Sequence, residues 1–144
     1  MAPHTSLSPR QLFLAVLVVA GGGALGTLLR DLSLRIGSTH WYASLVGVAG
    51  WASRVPWILG LVNVLGVYLA TRALRGPLAH HDPNDLTRLV VITGFFGGFT
   101  SYSSLYVSFG AIWHVSVLGA VLAGLVAVLS GVVAAWLGAK RWSR

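Results

Sequence analysis

The sequence predicts an all-α membrane protein with four transmembrane helices, the third of them broken. Three observations carry that reading. The chain is 56% hydrophobic and 9% charged, with a mean hydropathy of +0.78, whereas soluble domains carry about 25% charged residues. Four apolar stretches, roughly 11–29, 55–71, 89–110 and 115–138, are long enough to cross about 30 Å of hydrocarbon. The third stretch is interrupted at 94–104, GFFGGFTSYSS, where paired glycines run into a cluster of hydroxyls.

Each element follows from local chemistry. The first ten residues, with Pro3 and Pro9, read as a short tail. Arg10 ahead of an apolar run resembles a signal peptide, but the run continues to Leu29 and three more spans follow, so it reads as a retained first helix over 11–30. Gly22 and Gly26, four apart, allow close approach of another backbone. The helix is expected to end near Arg30-Asp31. The connection 32–54 has an apolar, aromatic middle at 41–51 that is too short to span and suits the membrane interface.

The second helix, 55–74, follows Pro56 and carries Asn63, the one amide in the interior of a span. Gly76-Pro77 and Asp82-Pro83 mark the next loop as turns. Asn84 or Asp85 is placed to cap the third helix, expected over 86–110 with its break at Gly97-Gly98. From Leu89 to Ala139 there is no Lys, Arg, Asp or Glu, which leaves room for two spans and a tight turn at Trp113-His114. The fourth helix, 115–139, carries Gly119, Ala123, Ala127 and Gly131 on one packing face. The whole chain is one membrane domain, 1–144.

Charge sets orientation. With four spans, Arg10, Arg72, Arg75, Arg88, Lys140, Arg141 and Arg144 lie on one side against Arg30, Arg35 and Arg54 on the other. The positive-inside rule then puts both termini in the cytoplasm of a plasma-membrane protein. The net charge of +7 belongs to span ends and not to a basic domain, so no nucleic-acid partner is expected. With no cysteine, disulfide and thiol chemistry are excluded.

The polar residues point to ion handling and not to an enzyme. No pair of carboxylates, HExxH motif or Ser/His/Asp constellation falls in a span, and His80-His81 sits in a loop beside Asp82. A backbone that leaves the helix in hydrocarbon must be satisfied by protein or by a wet cavity, and unwound carbonyls at that depth hold small cations. The stretch 94–104 therefore reads either as the centre of an ion site or as a glycine-rich packing face. Asn63 reads either as an interhelical hydrogen bond or as a donor to an anion. Arg30 reads either as snorkelling to the interface or as a vestibule cation, with Asp31 beside it to mute its field. Of Thr100, Ser101, Ser103 and Ser104, some must hydrogen-bond backbone freed by the break and others can line a polar track, and the ring edge of Tyr102 is electropositive.

Three segments, GGALGTLLR from Gly22, GLVNVLG from Gly60 and GFFGGFTSYSS from Gly94, resemble in order and spacing the signatures of the Fluc, or CrcB, fluoride channels. The resemblance covers most of the chain. It implies a four-helix subunit of an antiparallel, dual-topology-type dimer that exports fluoride passively to relieve its cytoplasmic toxicity. It implies a structural sodium ion at the dimer centre, held by backbone carbonyls of Gly97 and Thr100. It places Asn63, Tyr102, Ser103, Ser104 and Arg30 on the fluoride pathway.

The chain departs from that pattern. Tyr102 and Leu105 stand for two pore phenylalanines, Ala123 and Ala127 for a Tyr and a Ser of the last helix, with Ser130 nearby, and Asp31 for an aromatic. Together with the charge bias, these departures favour a heterodimer with an inverted sister subunit over a homodimer. They also allow a non-conducting structural partner. A small multidrug-type transporter shares the four-helix antiparallel plan but needs a membrane-embedded carboxylate, and Asp31, Asp82 and Asp85 all lie near span ends.

Overall fold

The computed structural model describes residues 8–37, 54–81 and 85–140. The expected interfacial stretch 41–51, Asn84 and the terminal cations Arg141 and Arg144 lie outside these residues. All the regular structure described is helical: α1 (Pro9–Gly37), α2 (Trp57–Arg75), α3 in three contiguous pieces (Leu86–Arg88, Leu89–Phe96, Gly97–Phe99), α4 (Tyr102–Trp113) and α5 (Val117–Ala139). Four spans have the length and apolarity to cross a membrane, with α3 and α4 together making the third. The broken third helix is thus present.

The first helix is longer than expected at both ends. Ser8 and Gln11 form a reciprocal cap: Ser8 N–H donates to Gln11 Oε1 at 2.9 Å, and Gln11 N–H to Ser8 Oγ at 3.3 Å. Pro9 fills the first helical position, where its missing N–H costs nothing. The helix also runs past Arg30-Asp31. Arg35 Nε donates to Asp31 Oδ2 at 2.7 Å, one turn on, an i,i+4 pair that supports a helix outside hydrocarbon. At 29 residues α1 is about 43 Å long, more than hydrocarbon requires.

The tight turn expected at Trp113-His114 is where α4 ends, and Ser116 Oγ caps α5 by accepting from Gly119 N–H at 3.0 Å. Asp85 Oδ1 caps α3 by accepting from Thr87 N–H at 2.7 Å.

The break does not fall at Gly97-Gly98. Gly97 is helical, with φ −62° and ψ −38°. The backbone turns extended at Thr100 (φ −90°, ψ 140°) and Ser101 (φ −146°, ψ 96°). Gly98 serves a different purpose, together with Gly94. A Cβ on Gly22 would lie 2.5 Å from the Val90 carbonyl oxygen, and one on Gly94 would lie 2.8 Å from that of Val19. A Cβ on Gly26 would collide with the Phe95 carbonyl, and one on Gly98 with that of Gly23. Gly22-xxx-Gly26 on α1 and Gly94-xxx-Gly98 on α3 therefore face each other with their backbones in contact, the close approach that small residues four apart permit.

Within this contact Leu89–Phe96 is a π-helix. Its wider i→i+5 turns change the angular spacing of the side chains, and no feature of the sequence marked them.

The contacts also set directions. Gly22 meets Val90, and Gly26 meets Phe95 and Phe99, so α1 and α3 run the same way. Gly60 and Leu61 share a groove with Ala123, while Gly138 sits on Tyr68, Thr71 and Arg72, so α2 and α5 also run together. Of the expected packing face on α5, Gly119 and Gly131 are buried. Ala123 and Ala127 instead line the groove between α2, α4 and α5.

Candidate ion site at the break

The break lies where α1, α2, α3 and α4 meet. An unwound pair of residues in hydrocarbon needs hydrogen-bond partners from elsewhere, and Asn63 supplies them from α2. Its side chain is 2% exposed. Ser101 N–H donates to Asn63 Oδ1 at 2.8 Å, and Asn63 Nδ2 donates to the Ser101 carbonyl at 3.2 Å. In an unbroken α-helix that N–H would close a turn on Gly97; here the amide side chain takes it instead. Asn63 thus makes the interhelical bond that was one of its two readings. Its amide has a second N–H, for which the described residues supply no partner.

α3 ends with its last carbonyls turned to other groups. Thr100 donates twice to the Phe96 carbonyl, from N–H at 3.0 Å and from Oγ1 at 2.8 Å. Arg30 Nη1 donates to the Gly98 carbonyl at 3.0 Å, and Thr27 Oγ1 approaches the same oxygen at 3.5 Å. Arg30 is therefore turned inward and half-buried, not snorkelling, and Asp31 pairs with Arg35 rather than with it. Gly66 leaves room for Thr100 and Phe99 against α2, since a Cβ there would lie 2.5 Å from Thr100 Cγ2 and 3.1 Å from the Phe99 ring.

α4 begins with hydroxyls. Ser101 Oγ accepts from Ser104 N–H at 3.3 Å and lies 2.8 Å from Ser104 Oγ and 3.2 Å from Ser103 Oγ. Ser101, Ser103 and Ser104 thus form one cluster at a helix N-terminus, where the dipole favours negative charge. The sequence reading named Ser101 in the hydroxyl stretch but gave it neither a place on the pathway nor the role of cap. Its signal was available, because a serine just ahead of a helical run is the preferred N-cap.

Tyr102 is 46% exposed and points toward α5, where a Cβ on Gly131 would come within 2.5 Å of its hydroxyl. The break therefore gathers Arg30, Asn63, Gly97, Thr100, Ser103 and Ser104, with Tyr102 at its edge. Three of the five positions that depart from the signature pattern also converge. Leu105, Ala123 and Ala127 line one groove of about 400 Å³ with Trp57, Phe109 and Ser130.

Among the described residues no group of three or more His, Cys, Asp or Glu could hold a metal ion. The oxygen donors at the break are main-chain carbonyls and hydroxyls. Outside the spans, His81 Nδ1 lies 3.1 Å from Asp85 Oδ2. That bond, and then the Thr87 backbone N–H, hold the Asp85 carboxyl below its ordinary value.

The model of the CrcB-like protein family, described as camphor resistance (CrcB), matches residues 17–139. The chain belongs to the CrcB family. It is 33% identical over 135 residues to a protein named fluoride-specific ion channel FluC from Chloroflexus aurantiacus, covering 88% of this chain and 95% of that one. It is 32% identical over 128 residues to the protein of the same name from Mesorhizobium japonicum, covering 88% and 94%. It is 35% identical over 121 residues to that from Acidobacterium capsulatum, covering 83% and 89%. The matched span takes in α2, the broken third span and α5 whole, so family membership rests on the elements that build the break. Membership and the four apolar helices make the chain a multi-pass membrane protein of an ion-channel family.

Proposed function

We propose that this chain is a subunit of a fluoride channel that exports the ion passively and relieves its toxicity in the cytoplasm. The observation that carries the reading is the nearly fully buried Asn63 amide beside the hydroxyl-rich N-terminus of α4. Fluoride is small and strongly hydrated, and moving a bare ion into low dielectric costs tens of kcal/mol on the order of the Born estimate. A passive path must replace its waters at several weak sites. Neutral donors meet that need: the Asn63 amide, the Ser103 and Ser104 hydroxyls and the ring edge of Tyr102, with Arg30 adding positive potential.

The main-chain oxygens of Gly97 and Thr100 are the proposed ligands of a structural sodium ion. The donor set fits a hard monovalent cation, since Thr100 is extended and its carbonyl leaves the helical ladder. Such an ion adds fixed positive charge near the path. The proposed partner is a homologous subunit in inverted orientation, a sister chain in preference to a second copy, with both termini of this chain cytoplasmic. The charge distribution supports that orientation. Among the described residues Arg10, Arg72, Arg75, Arg88 and Lys140 share the end opposite Arg35 and Arg54.

A second reading has support in the groove lined by Leu105, Ala123 and Ala127. On that reading the chain completes the dimer and the cation site, while the sister carries the working pore. One experiment tests both: efflux from liposomes followed with a fluoride-selective electrode, for this chain alone and with its sister. Fluoride-selective efflux in either case supports the channel. No efflux from the assembled pair overturns it. If Tyr102→Ala leaves the pair's flux unchanged, the structural reading wins.

A further inference from the structure

We infer that Arg30 is a positioning residue of the break, holding the last carbonyls of α3 in shape through the Gly98 oxygen. The inference rests on the channel reading for its purpose but on contacts for its substance. Arg30 Nη1 lies 3.0 Å from the Gly98 carbonyl oxygen, and Thr27, one turn earlier on α1, faces the same oxygen. The bond joins residues 68 apart in the chain, so it exists only because Gly98 lacks a side chain and lets α1 lie against it.

The electrostatics agree. α3 ends at Phe99, and its terminal carbonyls carry the negative end of a helix dipole. A guanidinium in a membrane segment is costly unless it is paired, and backbone carbonyls are among its usual partners. The nearest acid on α1 does not compete, since Asp31 is bonded to Arg35. The Gly98 carbonyl lies between those of Gly97 and Thr100. Gly98 is one residue after Gly97 and two before Thr100, so anchoring its carbonyl holds the middle of the short segment whose ends are the proposed ligands. Arg30 therefore sets how the main-chain oxygens at the break are presented.

This role differs from attraction of anions at a distance. A field acting through a vestibule weakens as ionic strength rises, whereas a contact bond in a half-buried site is screened far less. The test uses the full chain in liposomes, assembled with its sister where needed. Solid-state NMR on protein labelled with ¹⁵N-arginine and ¹³C-carbonyl glycine reads the wild type directly. A dipolar coupling between a guanidinium and a glycine carbonyl is expected, and Arg30→Lys should abolish it. Arg30→Met should lower fluoride flux at least about tenfold, by the same factor at about 0.01 M and about 0.1 M ionic strength. Arg30→Lys should restore part of that flux, since an ammonium can still donate to the carbonyl.

Absence of the coupling overturns the inference, whether or not Arg30→Met folds. So does an Arg30→Met deficit that shrinks as salt rises, which would assign Arg30 to anion capture. A wild type that carries no fluoride sinks the channel reading, and the coupling then decides the role of Arg30 by itself.

Discussion

Both ends of the Asn63 carboxamide are bonded to the backbone of one residue, Ser101, at 2.8 and 3.2 Å. A side chain on α2 thereby replaces the helical partners that Ser101 loses where the third span unwinds. The amide suits this task because it carries a donor and an acceptor in one plane. Replacing it tests structure and conduction together. Asn63→Asp keeps the acceptor, loses the donor and sets a carboxylate against the Ser101 carbonyl. A buried group left without its partner costs about 1–3 kcal/mol. Asn63→Asp should lower the melting temperature in detergent and reduce fluoride flux at least about tenfold. Unchanged flux in liposomes would remove Asn63 from the pathway.

The α1–α3 contact should be intolerant of a single methyl group. At Gly26 and Gly98 the atoms that a new Cβ would meet are main-chain atoms of the other helix, which cannot swing aside as a side chain can. Gly26→Ala or Gly98→Ala should destabilise by about 1–3 kcal/mol, the usual cost of overpacking. Gly21→Ala, where no atom lies within 4 Å, is the control and should be neutral or slightly stabilising. Thermal unfolding of the purified protein separates them.

Ser101→Ala removes the hydroxyl that caps α4 and joins Ser103 to Ser104. The lost cap alone costs about 1 kcal/mol. Flux should fall with stability, whereas Ser101→Thr should retain most of both. A Ser101→Ala protein with wild-type melting and flux would show that the cluster is dispensable.

At the loop end of the third span, Asp85 bonds His81 and Thr87 N–H, and its carboxyl lies below the usual value. The sign follows from linkage: a depressed folded value contributes stability above the unfolded value of about 3.9, lost as pH falls through the lower folded one. Melting measured from pH 7 downward should therefore show an Asp85-dependent loss only below about pH 4. Asp85→Asn should remove that step, and Asp85→Ala should lower the melting temperature at neutral pH through the lost cap.

The four spans, the interruption of the third and the crowding of cations at one end were legible in the sequence. Each follows from composition within a window, and bilayer solvation acts on composition window by window. The caps at Asp85, Ser101 and Ser116 are equally local. A packing face was one of the two readings of 94–104, but what it packs on was not legible, because a glycine is silent until something stands opposite it. Gly98 meets Gly23 on another helix, so Gly98 extends the packing seam of Gly94 and the unwinding falls at Thr100-Ser101. The aim of Arg30 at Gly98 and the grip of Asn63 on Ser101 were likewise decided by tertiary structure. Each is a hydrogen bond or contact with a partner that local sequence cannot name. Hydropathy selects which segments cross the membrane, but only the docking of α1 and α2 on the third span decides which polar groups meet at its break.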